Sequence, residues 1–585
     1  MVKGGRQTLA ENSNTPELRY SCVSMTLIFR CGSLLSLWVF FLGCGGTVAK
    51  SDAGLVPVGG DSGTGDVALG TSPPDGKAIP ATDAPMVDAR DTRMTSADTS
   101  TTSVDVRGAD SARAETVRDL GPPLGTVYVS PTGSDTQLGT RAAPFQTLKK
   151  VFSLAQPGDV VVLLDGTFDV TTQPELGITA NGACDGSVGI FVPAGITLAA
   201  DNPGAAKVVV SGSHGLCLLG ASVRGVAFAR EGQGGHMLEV LAGDNRVERS
   251  SFSSGSCYDA GGSAIEVSGS ATLVLDGSGV PSLYEVDTCG FLITYDTADV
   301  RVVGGTINSR SSFRPVPVMY ATLASKLTLE GVILEGDSAD QGILLSGTSE
   351  LQLLKGTVLK GFTKFCVEVD NKGGKLAATD TTFSNCAGSA VLLSGLSPTK
   401  VDLTFLRTQF LKGGTALSAF LTSPLNLSMT DSTVSDFLDG LKLEGQLGVI
   451  AITDSTFSNI SGMGINIRGN PCPNLRLRGN HFTGRALAGM NLECTPTGSH
   501  ADLGTLADPG LNVFQNSIPA SLRLNMPTVT IPAVGNIWNP GVQGADADGR
   551  YTVQGAGANL TVSSSSNDSN YVIGAGSLLL AENAP

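Results

Sequence analysis

Six residues that could do chemistry recur at one position of a repeating pattern. Glu330, Lys355, Asp380, Arg407, Asp431 and Asp454 each stand three residues before a recurring apolar residue. Two residues after it, a second column holds Glu335, Lys360, Asn385, Lys412, Asp436 and Asn459. If the copies stack in register as neighbouring strands, members of a column lie about 4.8 Å apart. The first column then alternates in sign and ends with two carboxylates, Asp431 and Asp454, side by side. Adjacent carboxylates raise one another's pKa or share a cation such as Ca²⁺, and a neighbouring Arg stabilises an anion. Asp380, Arg407, Asp431 and Asp454 are therefore the candidate catalytic set, since carboxylates about 5 Å apart suit a retaining glycosidase. Read without chemistry, the same column is an electrostatic ladder that holds register, each exposed pair contributing about 0–1 kcal/mol.

A second candidate group sits where the copies are longest, around Val280 and Ile307. It comprises Tyr258, Tyr284, Tyr295 and Tyr320, half of the 8 tyrosines, with Arg310 and Arg314. Tyr and Arg suit sugar stacking and the recognition of uronate or sulfate. Long loops on a repeat tend to gather on one face and form its binding surface. The plainer reading is that these tyrosines cover longer loops. The histidines His214, His236, His481 and His500 are scattered. They are expected at surface or turn positions, and no structural metal site is expected.

The elements that must position these residues follow from the repeat. TDTTFSN (Thr379 to Asn385), TDSTVSD (Thr430 to Asp436) and TDSTFSN (Thr453 to Asn459) are three clear copies. Their central apolar residues extend into a series, Phe228, Phe252, Val280, Ile307, Ile333, Val358, Phe383, Phe410, Val434, Phe457 and Phe482. The period is about 25 residues, with short β-alternation and no leucine-rich-repeat register. Strands of 4–5 residues joined by Gly, Asn and Asp corners predict an all-β fold, a single-stranded parallel β-helix of about eleven coils. Phe145, Leu148, Val151, Phe152 and Ala155 recur at helical spacing before Pro157-Gly158, which predicts an N-terminal capping helix.

Composition bounds the rest. The chain has 585 residues, 75 Gly, only 16% charged residues and a net charge of −15. No basic stripe is present, so nucleic acid is not an expected partner. Leu34 to Leu42 is an apolar run too short to span a membrane, and it precedes Gly43-Cys44. Phe41-Leu42-Gly43-Cys44 resembles a bacterial lipobox, which implies lipidation of Cys44 and membrane attachment through that anchor alone. The expected organisation is a signal peptide over 1–43, with Met25 as an alternative start, and the lipidated cysteine with a disordered acidic linker over 44–124. An N-terminal capping region with the first coils follows over 125–222, the repeats over 223–500, and a C-terminal capping region and tail over 501–585.

Eight of the 11 cysteines follow the lipobox, an even number that reads as disulfides in an exported protein. Each sequential pair is separated by about one coil, which predicts Cys184–Cys217, Cys257–Cys289, Cys366–Cys386 and Cys472–Cys494.

Tyr128-Val129-Ser130-Pro131-Thr132-Gly133-Ser134-Asp135, Gly139-Thr140, Ala143-Pro144-Phe145 and Gln156-Pro157-Gly158-Asp159 resemble the entry motif of right-handed β-helix proteins of the pectin-lyase-like superfamily. More narrowly, these motifs resemble an exported bacterial family without an assigned function. Leu503 to Asn516 and Asn536 to Tyr551 are similar to its C-terminal portion. The resemblance implies the fold over about 125–551; the superfamily holds enzymes, adhesins and inert scaffolds alike. The NTD, DD, GHG and RIK segments of its polygalacturonases are absent, and Arg310 to Pro315 is a poor match to the Arg-Pro-Arg element of its pectate lyases. The resulting expectation is an outer-membrane or cell-surface lipoprotein that interacts with a polysaccharide or cell-envelope glycan or acts as a structural or adhesive scaffold. The alternative is a polysaccharide lyase or glycoside hydrolase acting on an acidic glycan.

Overall fold

The structure, a computed structural model, describes residues 125–169 and 190–536 apart from 211–214, 232–234, 255–262, 280–283, 287–289, 311–315, 371–373, 396–398, 485–487, 495–499, 506, 516–519, 526–528 and 534–535, together with strands at 551–554, 559–562 and 571–573. The signal segment, Cys44, the linker, Cys184, Val280, Tyr258, Cys257, Cys289 and Arg314 lie outside the described residues.

The chain winds into a β-solenoid of about 11 turns. A typical turn places Lys326–Glu330 in a first sheet, Ile333–Gly336 in a second and Gln341–Leu345 in a third. The next turn repeats them as Glu350–Leu354, Val358–Lys360 and Phe365–Asp370, each pairing in parallel with its predecessor.

Several letters of TDSTFSN answer to a requirement of backbone or packing. Thr453 ends a first-sheet strand, and Asp454 turns the corner with φ of 49°. Asp380, Arg407 and Asp431 do the same at 51°, 48° and 49°. A left-handed backbone is unfavourable for L-residues, and Gly, Asn and Asp tolerate it best. Ser455 is buried, and its hydroxyl accepts from the Ser432 N–H at 3.2 Å in the turn before. The same hydrogen-bonded column continues as Ser455 N–H to Asn480 Oδ1 at 3.0 Å and Asn480 N–H to Asn512 Oδ1 at 3.0 Å. Buried backbone donors at these corners are thereby satisfied. Phe457 faces inward, and Asn459 makes the second corner with φ of 53°.

The inward column runs Phe228, Phe252, Tyr284, Ile307, Leu334, Leu359, Phe383, Phe410, Val434, Phe457, Phe482 and Phe514, paired in register. Its rings stack: Phe457–Phe482 centroids lie 4.9 Å apart and Phe482–Phe514 4.6 Å. Three anchors expected from sequence are corrected. Tyr284 occupies the place assigned to Val280, and Leu334 and Leu359 replace Ile333 and Val358, which are only partly buried. The corner residues of those two turns are Gly331 and Gly356, with φ of 61° and 79°. Glu330 therefore stands one residue before the corner column, whereas Lys355, with φ of 54°, shares its corner with Gly356.

The helical spacing expected through Ala155 forms a helix only over Leu148–Phe152, with Leu148 and Val151 buried and the Thr147 side chain accepting from the Lys150 N–H. The outer edge of Thr126–Val129 is paired nearby: Tyr128 N–H donates to Gly139 O at 2.8 Å, and Phe145 N–H to Tyr128 O at 3.0 Å. At the other end, Tyr571–Ile573 pairs antiparallel with Ala520–Asn525. Disulfides join Cys366 to Cys386 and Cys472 to Cys494, with Cα atoms 5.7 and 4.9 Å apart, and Cys217 is also disulfide-bonded.

Candidate functional site

The first sequence-derived set does not gather into a pocket. Asp380, Arg407, Asp431 and Asp454 are exposed corner residues of successive turns. Arg407 grips Asp380 in a bidentate pair, Nε to Oδ1 at 2.6 Å and Nη2 to Oδ2 at 2.9 Å. This contact holds the Asp380 carboxyl below the usual carboxylate range. Arg407 is thus engaged within the ladder, while the Asp431 and Asp454 N–H groups continue the corner ladder to Thr453 O and Arg478 O. Backbone conformation and ladder pairing account for these residue types. Among the described residues, no group of three or more His, Cys, Asp or Glu side chains is placed to hold a metal ion.

The tyrosine group divides. Tyr284 belongs to the core: it is fully buried, its hydroxyl donates to Gly290 O at 3.0 Å, and its ring packs 4.6 Å from Phe291. Its assignment as a binding residue is corrected by that burial. Arg310 is exposed and borders a cleft at the corner between the second and third sheets, 3.9 Å from Asp337. Tyr295 and Tyr320 are half-buried on the outward face of the third sheet.

That face carries chemistry the columns did not reveal. Glu239, Glu266, Ile293 and Tyr320 follow one another in register, so consecutive members lie about 4.8 Å apart. Tyr295 stands two residues beyond Ile293. Burial first, then the neighbouring Glu266 and Tyr320, push the Tyr295 phenol above its ordinary value. His236 Nε2 lies 2.6 Å from Glu266 Oε2, and its Nδ1 lies 2.9 Å from Ser263 Oγ.

By distance, Ser263, His236 and Glu266 resemble a nucleophile, base and orienting acid. By access they do not. Ser263 has no exposed surface, and its hydroxyl donates to Ile265 O at 2.7 Å. The Ser263 N–H also donates to His236 Nδ1 at 3.3 Å, so both imidazole nitrogens are engaged. The histidine consequently orients Glu266, while Glu266, Tyr295 and Tyr320 are the groups presented outward.

A family model described as a right-handed β-helix region matches residues 341–505. No curated protein sequence is significantly similar to the chain. Among solved structures, the chain is similar to the pectate lyase Pel9A, at 17% identity and a TM-score of 0.32, over 54% of this chain and 78% of that one. It is also similar to the catalytic unit of a GH87 alpha-1,3-glucanase from Streptomyces thermodiastaticus strain HF3-3, at 12% identity and a TM-score of 0.35, over 65% and 67%. A third similar structure is PfbA, a surface adhesin of Streptococcus pneumoniae, at 8% identity and a TM-score of 0.24, over 70% and 92%.

Proposed function

We propose that this chain is an extracytoplasmic β-helix lipoprotein that binds a cell-envelope or environmental polysaccharide through the outward face of its third sheet. The observation that carries this reading is the grouping of two half-buried tyrosines with Glu266, itself held in place by His236. Aromatic faces stack on sugar rings while an oriented carboxylate and phenols hydrogen-bond their hydroxyls. The disulfides fit an oxidising compartment.

The same chemistry favours binding over turnover. A general base works best with a pKa near the operating pH, and the Tyr295 phenol is pushed away from it. The serine of the triad-like arrangement is buried, and the Arg407 guanidinium is bound to Asp380.

Affinity electrophoresis through gels containing individual polysaccharides tests the reading, alongside assays for unsaturated product at 235 nm and for new reducing ends. Retardation without turnover, weakened in Tyr295→Ala and Tyr320→Ala, is expected. Turnover abolished by Asp431→Ala or Arg407→Ala would establish the enzymatic alternative instead. For the anchor, Cys44→Ser should abolish palmitate labelling and release the protein from the membrane; unchanged labelling refutes the lipoprotein assignment.

A further inference from the structure

We propose that the cleft at the corner between the second and third sheets is a subsite for a neutral sugar ring, with Asn308 Oδ1 accepting a ligand hydroxyl. This inference rests on the glycan-binding reading above and adds a second contact zone with its own ligand preference. The cleft has a volume of about 340 Å³ and is lined by Asn308, Arg310, Glu335, Asp337 and Ser338 with two glycines. That volume is at the lower end of the range for small-molecule sites.

Its charges pair off. Lys360 Nζ lies 3.2 Å from Glu335 Oε1, and Arg310 Nε lies 3.9 Å from Asp337 Oδ2. The pairs leave no net charge to attract a carboxylate or sulfate. Asn308 sits in register between Glu285 and Glu335 on the outward face of the second sheet. Its Oδ1 is buried and has no hydrogen-bond partner among the described residues. Native structures rarely leave a buried acceptor unpaired, so its complement is a donor brought by a ligand or a solvent molecule. An uronate would bring an anionic acceptor to an acceptor flanked by carboxylates. A neutral sugar brings hydroxyls that can donate to Asn308 Oδ1 and Glu335 and accept from Arg310. A lone water would satisfy Oδ1 without using the rest of the cleft.

The test compares the full chain with Asn308→Leu, Asn308→Asp, Arg310→Ala and Tyr320→Ala in affinity gels containing laminarin, glucomannan or polygalacturonate. Circular dichroism and thermal melting check folding. Retardation by a neutral glycan is expected, at least tenfold weaker in Asn308→Leu and severalfold weaker in Arg310→Ala. Asn308→Asp keeps an acceptor but sets a third carboxylate between Glu285 and Glu335, so its retardation should fall between those of Asn308→Leu and wild type. If Asn308→Leu binds like wild type while Tyr320→Ala does not, the cleft assignment fails and the third-sheet reading stands. A preference for polygalacturonate overturns the neutral-sugar assignment alone. Failure of all three gels to retard the wild type overturns the cleft proposal, whereas the third-sheet reading fails only if a wider glycan panel also gives no binding.

Discussion

Replacing Asp431 by Asn, Gly, Ala and Val separates a corner residue from a catalytic one. Asp431 is exposed with φ of 49°, so its substitutions remove little packing and act mainly through the backbone. Holding an ordinary L-residue in the left-handed region costs roughly 1–2 kcal/mol, less for Asn and Asp, and nothing steric for Gly. Gly, however, releases up to about 1 kcal/mol of extra chain entropy on unfolding. Asn, Asp and Gly should therefore unfold within about 0.5 kcal/mol of one another, Ala about 1 kcal/mol below them and Val about 2 kcal/mol below. Equilibrium urea unfolding gives the ranking, and glycan affinity measured on the same samples should not follow it. Gly479 is the complementary position: its φ is 62°, and a Cβ there would fall 2.2 Å from Asp454 Oδ1. Because that atom ends an exposed side chain that can swing away, the left-handed backbone sets the cost, and Gly479→Ala should lose about 1 kcal/mol, close to Asp431→Ala. The reasoning is refuted if Asp431→Gly is as destabilised as Asp431→Val, or if Asp431→Asn loses a glycan activity at unchanged stability.

Phe482 is 2% exposed and stacked between Phe457 and Phe514, so Phe482→Ala should cost about 3–5 kcal/mol. Double-mutant cycles should find it coupled to Phe457→Ala and additive with Phe228→Ala, because a solenoid turn contacts mainly its neighbours; equal coupling to both would contradict that picture. Hydrogen bonds from Arg301 and then Lys355 hold the Glu330 carboxyl below the usual carboxylate range. Its stabilising effect is therefore complete above the unfolded value of about 4.3 and lost as pH falls through the lower folded value. Glu330→Gln should narrow the stability gap to wild type across that acid window, and a gap independent of pH would count against the assignment. Asn512→Ala removes the acceptor of the Asn480 N–H and should cost about 1–3 kcal/mol in urea unfolding; a loss below 0.5 kcal/mol would show that the corner relaxes around it.

What could be read from the sequence, and what could not, follows from how the period is kept. Over Asp380 to Asn459 each corner residue stands the same three positions before its inward residue, so counting alone identifies the left-handed corners, the buried hydroxyls and the stacked rings. Lys355 is one extra residue before Gly356, and it displaces the column by one. Earlier turns vary more. The connections from the second sheet to the third run from Arg230 to Leu238 in one turn and from Ser309 to Met319 in another. Such insertions cancel any count carried from Phe228 or Ile307 into the third sheet. That is why counting does not assemble His236, Glu239 and Glu266, and a long connection from Asp276 in the first sheet to Tyr284 in the second hides the inward place of Tyr284 in the same way. The cause is physical. Where turns stack at constant length, each position must suit its own corner and the residue one turn away, so a charge there answers first to register. Where connections lengthen, stacking no longer dictates every residue between strands, and His236 can reach Glu266 across a turn. The regular columns thus report how the solenoid holds together, and the turns that depart from the period carry the surfaces proposed to meet a ligand.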